Sequence, residues 1–182
     1  MLLTATQMLA RWKTALGLDV SAYGATVERM DGIDLDGRLT AAMRDWYLAA
    51  LDTAPLSQLC LTDLAADLAD SLIASEPQAC TYAIPDTWHR IASVRLSSWH
   101  VPVAPVTDPA EAAALLGRIA SPFSAPGPVS PAAILLPGRL ICAPAGEPVE
   151  VLAVVDHGPD AYELRETLLA TIPTQTDILD YE

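Results

Sequence analysis

The stretch Ile84–Val103, I-P-D-T-W-H-R-I-A-S-V-R-L-S-S-W-H-V-P-V, sets the reading of the chain. Ala92, Val94 and Leu96 alternate with Ser93, Arg95 and Ser97. A period of two puts one face in a core and the other in water, so the stretch predicts the longest strand of a sheet. Leu96 and Trp99 are an odd step apart. A bulge near Ser97-Ser98 is therefore expected, returning Trp99, Val101 and Val103 to the apolar face. Pro85 and Pro102 lack a backbone donor and suit the ends of such a strand.

Before this stretch the pattern is helical. Ala5, Met8, Leu9, Trp12, Ala15 and Leu16 form one stripe, with Gly17 as a stop. Two readings stay open for it: a helix packed on its own domain, or a terminal helix whose Met8, Trp12 and Leu16 dock on a neighbouring subunit. Asp19 to Gly37 reads as a joint with three glycines. Its D-G-I-D-L-D-G resembles a calcium loop, but Gly32 falls where the first ligand belongs and Met43 where the bidentate Glu belongs. Asp34 or Asp36 as a helix N-cap explains the acids more simply. Arg38 to Asp52 reads as a helix, with Leu39, Ala42, Met43, Trp46, Ala50 and Leu51 inside and Arg38, Arg44, Asp45 and Asp52 mostly outside. Thr62 reads as the cap of another helix, with Leu64, Ala65, Leu68, Leu72 and Ile73 inside. Asp63, Asp67 and Asp70 share its wet face, and a solvated face explains them better than a cation site.

Glu76-Pro77 marks a change of character. Proline and β-branched residues rise after it, which predicts a helical region over residues 1–76 and a β-rich region over residues 77–182, packed as one unit. Ala79 to Ile84 reads as a strand. Asp108 caps a helix over Pro109 to Ile119, with Pro109 in its first turn. S-P-F-S-A-P-G-P-V-S-P is a loop. Ala132 to Pro137 and Leu140 to Pro144 form a hairpin around Gly138-Arg139, Val149 to Val155 is a further strand, and Pro159 to Ala170 returns to helical spacing. The expected fold class is α+β: a helical N-terminal region, then a mainly antiparallel sheet with covering helices.

The chain has 182 residues, 52% of them apolar. No apolar run reaches the eighteen or so residues of a membrane span. The N-terminus lacks a basic region before an apolar block, which predicts cytosolic synthesis. There are 23 acids against 10 Lys and Arg, a net charge of −13. Without a basic stripe to neutralise phosphates, direct nucleic-acid binding is not expected. Cys60, Cys80 and Cys142 are odd in number and widely spaced, which argues against a disulfide framework or a zinc ribbon and for small buried hydrophobes. G-x-S-x-G, the P-loop, G-x-G-x-x-G and H-E-x-x-H are all missing. Cys142, His157 and Asp156 supply the residue types of a thiol nucleophile, its base and an orienter, but nothing in their spacing joins them. Trp88 and Trp99 beside Arg90 and Arg95 suit base stacking, yet the charge favours a packing role. No catalytic residue, cofactor site or metal site is expected.

In order, the Ile84–Val103 pattern, a helix, the S-P-F-S-A-P-G-P loop, A-A-I-L-L-P-G-R-L-I-C-A-P, V-E-V-L-A-V-V and L-R-E-T-L-L-A-T-I-P follow one another. The sequence resembles virion structural proteins of tailed bacteriophages and prophages, in particular the neck proteins that join head to tail. The similarity covers roughly Ala83 to Pro173, and more vaguely Gly37 to Ser75. It rests on strands and prolines, and no functional residue carries over. The resemblance implies a non-enzymatic, ring-forming subunit, a head-to-tail connector. Its partners would be copies of itself and neighbouring portal or tail proteins. It would be made in the bacterial host cytoplasm and end in the virion. The basic residues often seen in the middle loop of relatives are missing here. The alternative is a bacterial adaptor or chaperone-like protein-binding module; a small cysteine hydrolase using Cys142 is a third reading.

Overall fold

Local pattern decides most elements of this chain, and tertiary pairing overrides it in three places. The computed structural model describes residues 1–18 and 35–173. In chain order these form β1 (Leu2–Thr4), α1 (Ala5–Ala15), α2 (Leu35–Thr53), a 3-10 turn (Leu56–Gln58), β2 (Thr62–Asp63), α3 (Ala65–Asp70), β3 (Leu72–Ser75) and β4 (Cys80–Ala83). Then come β5 (Trp88–Leu96), α4 (Pro109–Ile119), β6 (Ala132–Leu136), β7 (Arg139–Ala143), β8 (Pro148–Val155), β9 (Ala161–Glu163) and α5 (Glu166–Leu169). The class is α+β, with three antiparallel sheets in place of one.

The chain divides into two compact units, but not at Glu76-Pro77. One unit is Met1–Cys60 with Asp156–Glu182, and the other is Leu61–Val155. The expected boundary falls inside the β3–β4 hairpin, where Glu76 and Ala79 exchange backbone hydrogen bonds. The composition change there is the turn of a hairpin, not a linker.

In the first unit β1 pairs with β9, so the two ends of the described chain share one small sheet. Thr4 caps α1: its hydroxyl accepts from Gln7 N at 3.3 Å, and the Gln7 side chain accepts from Thr4 N at 3.0 Å. This reciprocal pair satisfies two donors that a helix start leaves orphaned. Met8, Trp12 and Leu16 are buried at 0%, 2% and 3% exposure, so the stripe that could have docked on a neighbouring subunit lies in the core of its own unit. Trp12 stacks at a tilt on Trp46 of α2, ring centroids 5.4 Å apart. In α2 the buried side is Met43, Tyr47, Ala50 and Leu51; Ala42 is exposed. The helix expected over Pro159 to Ala170 is instead β9 and the single turn α5. Tyr162 and Leu164, two apart and both buried, are the strand signal there.

In the second unit β2, β8 and β5 form one sheet, and β3, β4, β7 and β6 another. Val94 and Leu96 of β5, Val151 and Ala153 of β8, Cys80 and Tyr82 of β4, and Leu140 and Cys142 of β7 meet in a single core. Each pair is two residues apart, the period that commits one face of a strand to the interior. Irregularities in the β5–β8 ladder between Ile91 and Ser93 bring Ile91, rather than Ala92, into the core. The odd step after Leu96 is a turn: Trp99 N donates to Leu96 O at 3.0 Å, and Trp99 comes back to 4% exposure. Val103 returns beside Val94, while Val101 stays 44% exposed and does not rejoin the face. The helix expected to run to Ile73 stops at Asp70, because Leu72–Ser75 pairs with β4.

Gly138, at φ +68°, makes the tight β6–β7 turn, a conformation that costs a side-chain-bearing residue roughly 1 kcal/mol. Asp108 caps α4, its Oδ1 accepting from Ala110 N at 3.0 Å and Glu111 N at 2.9 Å. Asp108→Ala orphans both donors and is expected to lower stability by about 1 kcal/mol in a urea melt. An unchanged midpoint would show that α4 contributes nothing to the cooperative unit. Only Ala112 of this helix is buried, so fraying at α4 is the alternative that outcome would expose.

Candidate functional site

The residues after Leu96 build a site rather than extend a strand. Ser97, Ser98 and Trp99 pin the segment 144–147 from one side. Trp99 Nε1 donates to Pro144 O at 2.8 Å, Ser98 Oγ to Ala145 O at 2.8 Å, and Ser97 Oγ accepts from Glu147 N at 3.1 Å. Tyr82 of β4 completes the set, its hydroxyl donating to Gly146 O at 2.9 Å. Four carbonyl or amide groups in this half-buried segment are thus paired by side chains. Gly146 is fixed by space: a Cβ there would lie 2.7 Å from Ser98 Oγ and 3.2 Å from Leu96 Cβ.

This pinned segment walls a cleft of about 920 Å³, closed on the other side by the β3–β4 hairpin. Cys80 and Tyr82 form part of its wall, with Glu76 and Glu147 among the lining residues. Cys80 lies directly opposite Cys142 in the β4–β7 ladder, its Sγ 3.7 Å from Cys142 O. The side-chain interaction with Cys142 lowers the Cys80 thiol to about 6 against the opposing effect of burial, with smaller help from Tyr82 and the backbone at Gly146. The Cys142 thiol moves up, held protonated by Cys80 and by burial. Burial also pushes the Tyr82 hydroxyl up, reinforced by the Cys80 sulfur.

A second polar cluster lies in the first unit. Arg44 donates to Asp156 through both terminal nitrogens, Nη1 to Oδ1 at 2.9 Å and Nη2 to Oδ2, and to Gly158 O at 3.1 Å. Its guanidinium stands 5.7 Å from the ring centroids of both Tyr47 and Tyr162, which meet edge to face at 4.9 Å. The Asp156 hydrogen bond raises the Arg44 pKa, and burial pushes Tyr47 up to about 12. Fully occupied, this cluster anchors the turn after β8 to α2. The helical pattern puts Arg44 on the wet side of its helix, and no motif joins it to an acid 112 residues away.

The other residues singled out from sequence are placed as follows. Met8, Trp12 and Leu16 are core. Cys142 is fully buried against Cys80, Asp156 is committed to Arg44, and His157 Nε2 meets Glu163 Oε2 at 3.1 Å. Each member of the conceivable thiol triad is thus engaged within its own unit. Asp63, Asp67 and Asp70 are exposed, but Asp63 is not merely solvated: its Oδ1 accepts from Ala65 N at 3.1 Å and Val151 N at 3.0 Å. Trp99 is core and Trp88 packs against that core, which leaves neither as a free stacking platform. Asp36 sits in the first turn of α2, where it pairs with Lys13 at 2.7 Å. Asp34, most of the D-G-I-D-L-D-G segment and the acidic tail Thr174–Glu182 lie outside the described residues. Among the described residues no group of three metal-ligating side chains converges, and no helix is long and apolar enough to cross a membrane.

Apolar surface is left over in the second unit. All four residues of β3, at the edge of its sheet, are exposed, Leu72 at 49% and Ile73 at 57%. In the 121–131 loop Phe123, the only phenylalanine of the chain, is 99% exposed and Val129 73%. An apolar edge strand and a bare aromatic are features that lone soluble proteins usually blunt.

Comparison of the chain with family models, curated proteins and solved structures found no match.

Proposed function

We propose that this chain is a structural, non-enzymatic subunit of a tailed-phage virion, a neck or head-to-tail connector protein that assembles as a ring. The observation that carries the assembly reading is the exposed apolar edge of β3 together with Phe123. Such an edge offers unpaired backbone groups and apolar side chains to another chain. The phage reading rests on the resemblance of the Ala83–Pro173 pattern. The net charge of −13 fits a wall that DNA passes without being held, since phosphates are repelled over about a Debye length, roughly 10 Å at 0.1 M salt.

Size-exclusion chromatography with light scattering tests the reading. The expected result is a concentration-dependent oligomer. Leu72→Lys with Ile73→Lys, or Phe123→Ser, is expected to shift it towards monomer without lowering the melting temperature, because these side chains are exposed in the subunit. Duplex DNA at low salt is expected to give no mobility shift. A monomer at every concentration, insensitive to these changes, overturns the ring and favours an adaptor that takes one extended peptide along β3. Tight, salt-sensitive DNA binding overturns the passive wall.

A further inference from the structure

We propose that Cys80 and Cys142 form a reactive thiol pair for small cationic disulfides of the cystamine class, Cys80 being modified first and Cys142 closing an internal disulfide between β4 and β7. This inference does not rest on the virion reading.

Three observations carry it. First, the two cysteines are directly opposed in an antiparallel ladder, and both point into the same core. Opposed Cα atoms in such ladders are about 4.5–5.5 Å apart, inside the roughly 4.4–6.8 Å that a disulfide spans. Second, Cys80 reaches the wall of the 920 Å³ cleft with 2% of its surface exposed, while Cys142 has none. A reagent entering the cleft meets Cys80 and not Cys142. Third, the cleft carries Glu76 and Glu147 among its lining residues. Two carboxylates attract an aminothiol disulfide and repel an anionic one such as oxidised glutathione.

The thiol chemistry agrees with this order. The thiolate is the attacking species, and the interaction with Cys142 lowers the Cys80 thiol, favouring thiolate there. The Cys80 thiolate attacks one sulfur of the reagent, the reagent's S–S bond breaks, and one aminothiol leaves with the electron pair and takes a proton. Cys80 is then neutral in a mixed disulfide, so the charge that held the Cys142 proton is gone. Cys142 attacks the Cys80 sulfur, the mixed disulfide breaks, and the second aminothiol departs with the Cys142 proton. The sum is two protein thiols oxidised and one reagent disulfide reduced to two thiols.

The experiment uses the full chain with Cys60→Ser, treated with cystamine under native conditions, alkylated and weighed intact. The expected product is two hydrogens lighter, carries no adduct and resists alkylation. With Cys142→Ser added, one cysteamine is expected to remain trapped on Cys80; with Cys80→Ser instead, Cys142 stays unmodified. Cystamine is expected to react at least several-fold faster than oxidised glutathione, the gap closing as salt rises. Peptide mapping of the oxidised unsubstituted protein gives the same answer without depending on the folding of any variant: a linked pair of peptides containing Cys80 and Cys142. Links through Cys60 instead, or thiols that react only in denaturant, overturn the pair. Equal rates for the two reagents overturn the charge selection.

Discussion

Leu96→Asp is expected to abolish the folded state of the Leu61–Val155 unit. Leu96 is 1% exposed, and it packs in the core formed by β4, β5, β7 and β8. Gly146 also packs close to it: a Cβ built on Gly146 would lie 3.2 Å from Leu96 Cβ. Among the described residues no charged side chain is buried in that core to receive a carboxylate. Placing one there costs several kcal/mol for the unpaired charge, besides the lost apolar burial. A domain holds only about 5–15 kcal/mol in reserve. The expected readout is loss of the cooperative thermal transition and of near-ultraviolet circular dichroism, or recovery of the protein in the insoluble fraction. Arg95→Gln, one residue earlier, is the control. Arg95 faces outward opposite Glu150 at 4.0 Å, with side chains 38% and 36% exposed. Such a pair contributes little, and the expected change is within about 0.5 kcal/mol. An unchanged melting temperature for Leu96→Asp would put the strand register off by one residue and exchange the roles of the two positions.

The alternation through Val94 and Leu96 is legible because one face of β5 is buried and the other is wet. The same logic fails where an element is short. Leu72 and Ile73 continue the helical spacing of Leu64 and Leu68, but the segment from Leu72 gains more by completing backbone bonds to β4 than by another helical turn, and the pattern carries no trace of that partner. Tyr162 and Leu164 escape for the opposite reason. Their period of two is only three residues long, and their strand exists because β1, at the far end of the chain, pairs with it. The first unit is also discontinuous, a second segment from Asp156 onward joining Met1–Cys60, which no local change of composition announces. The cleft is hidden in the same way. Ser97, Ser98 and Trp99 look like a bulge in sequence, and only the return of residues 144–147 shows three side chains reserved for pinning a loop. Cys80 and Cys142 are each readable as buried. Their opposition follows from strand register, which a spacing of 62 residues does not encode.

Asp156→Ala is expected to destabilise the first unit by about 2 kcal/mol, below the roughly 3–5 kcal/mol range for breaking a fully buried ion pair, because this pair is part-buried. The Arg44 and Asp156 side chains keep 20% and 13% exposure, so water screens the pair only weakly. Removing the carboxylate leaves the guanidinium facing two tyrosine rings and the Gly158 carbonyl, with no counter-charge among these contacts. It also orphans Gly158 N, which donates to Asp156 Oδ1 at 3.0 Å. The stacked rings retain some attraction for the cation, which also limits the loss. Replacing both partners by apolar residues, Arg44→Met with Asp156→Leu, removes the uncompensated charge as well as the bond. That pair is expected to recover more than about 1 kcal/mol relative to the sum of the single changes. Urea denaturation of the four proteins in a Trp88→Phe, Trp99→Phe background, followed by fluorescence of the remaining Trp12 and Trp46, measures the cycle. The interaction energy is expected to change little with added salt, because neither charge is freely solvated. Strictly additive single changes would mean that Arg44 and Asp156 stabilise the unit separately, Arg44 through the Tyr47 and Tyr162 rings and Asp156 through the Gly158 turn.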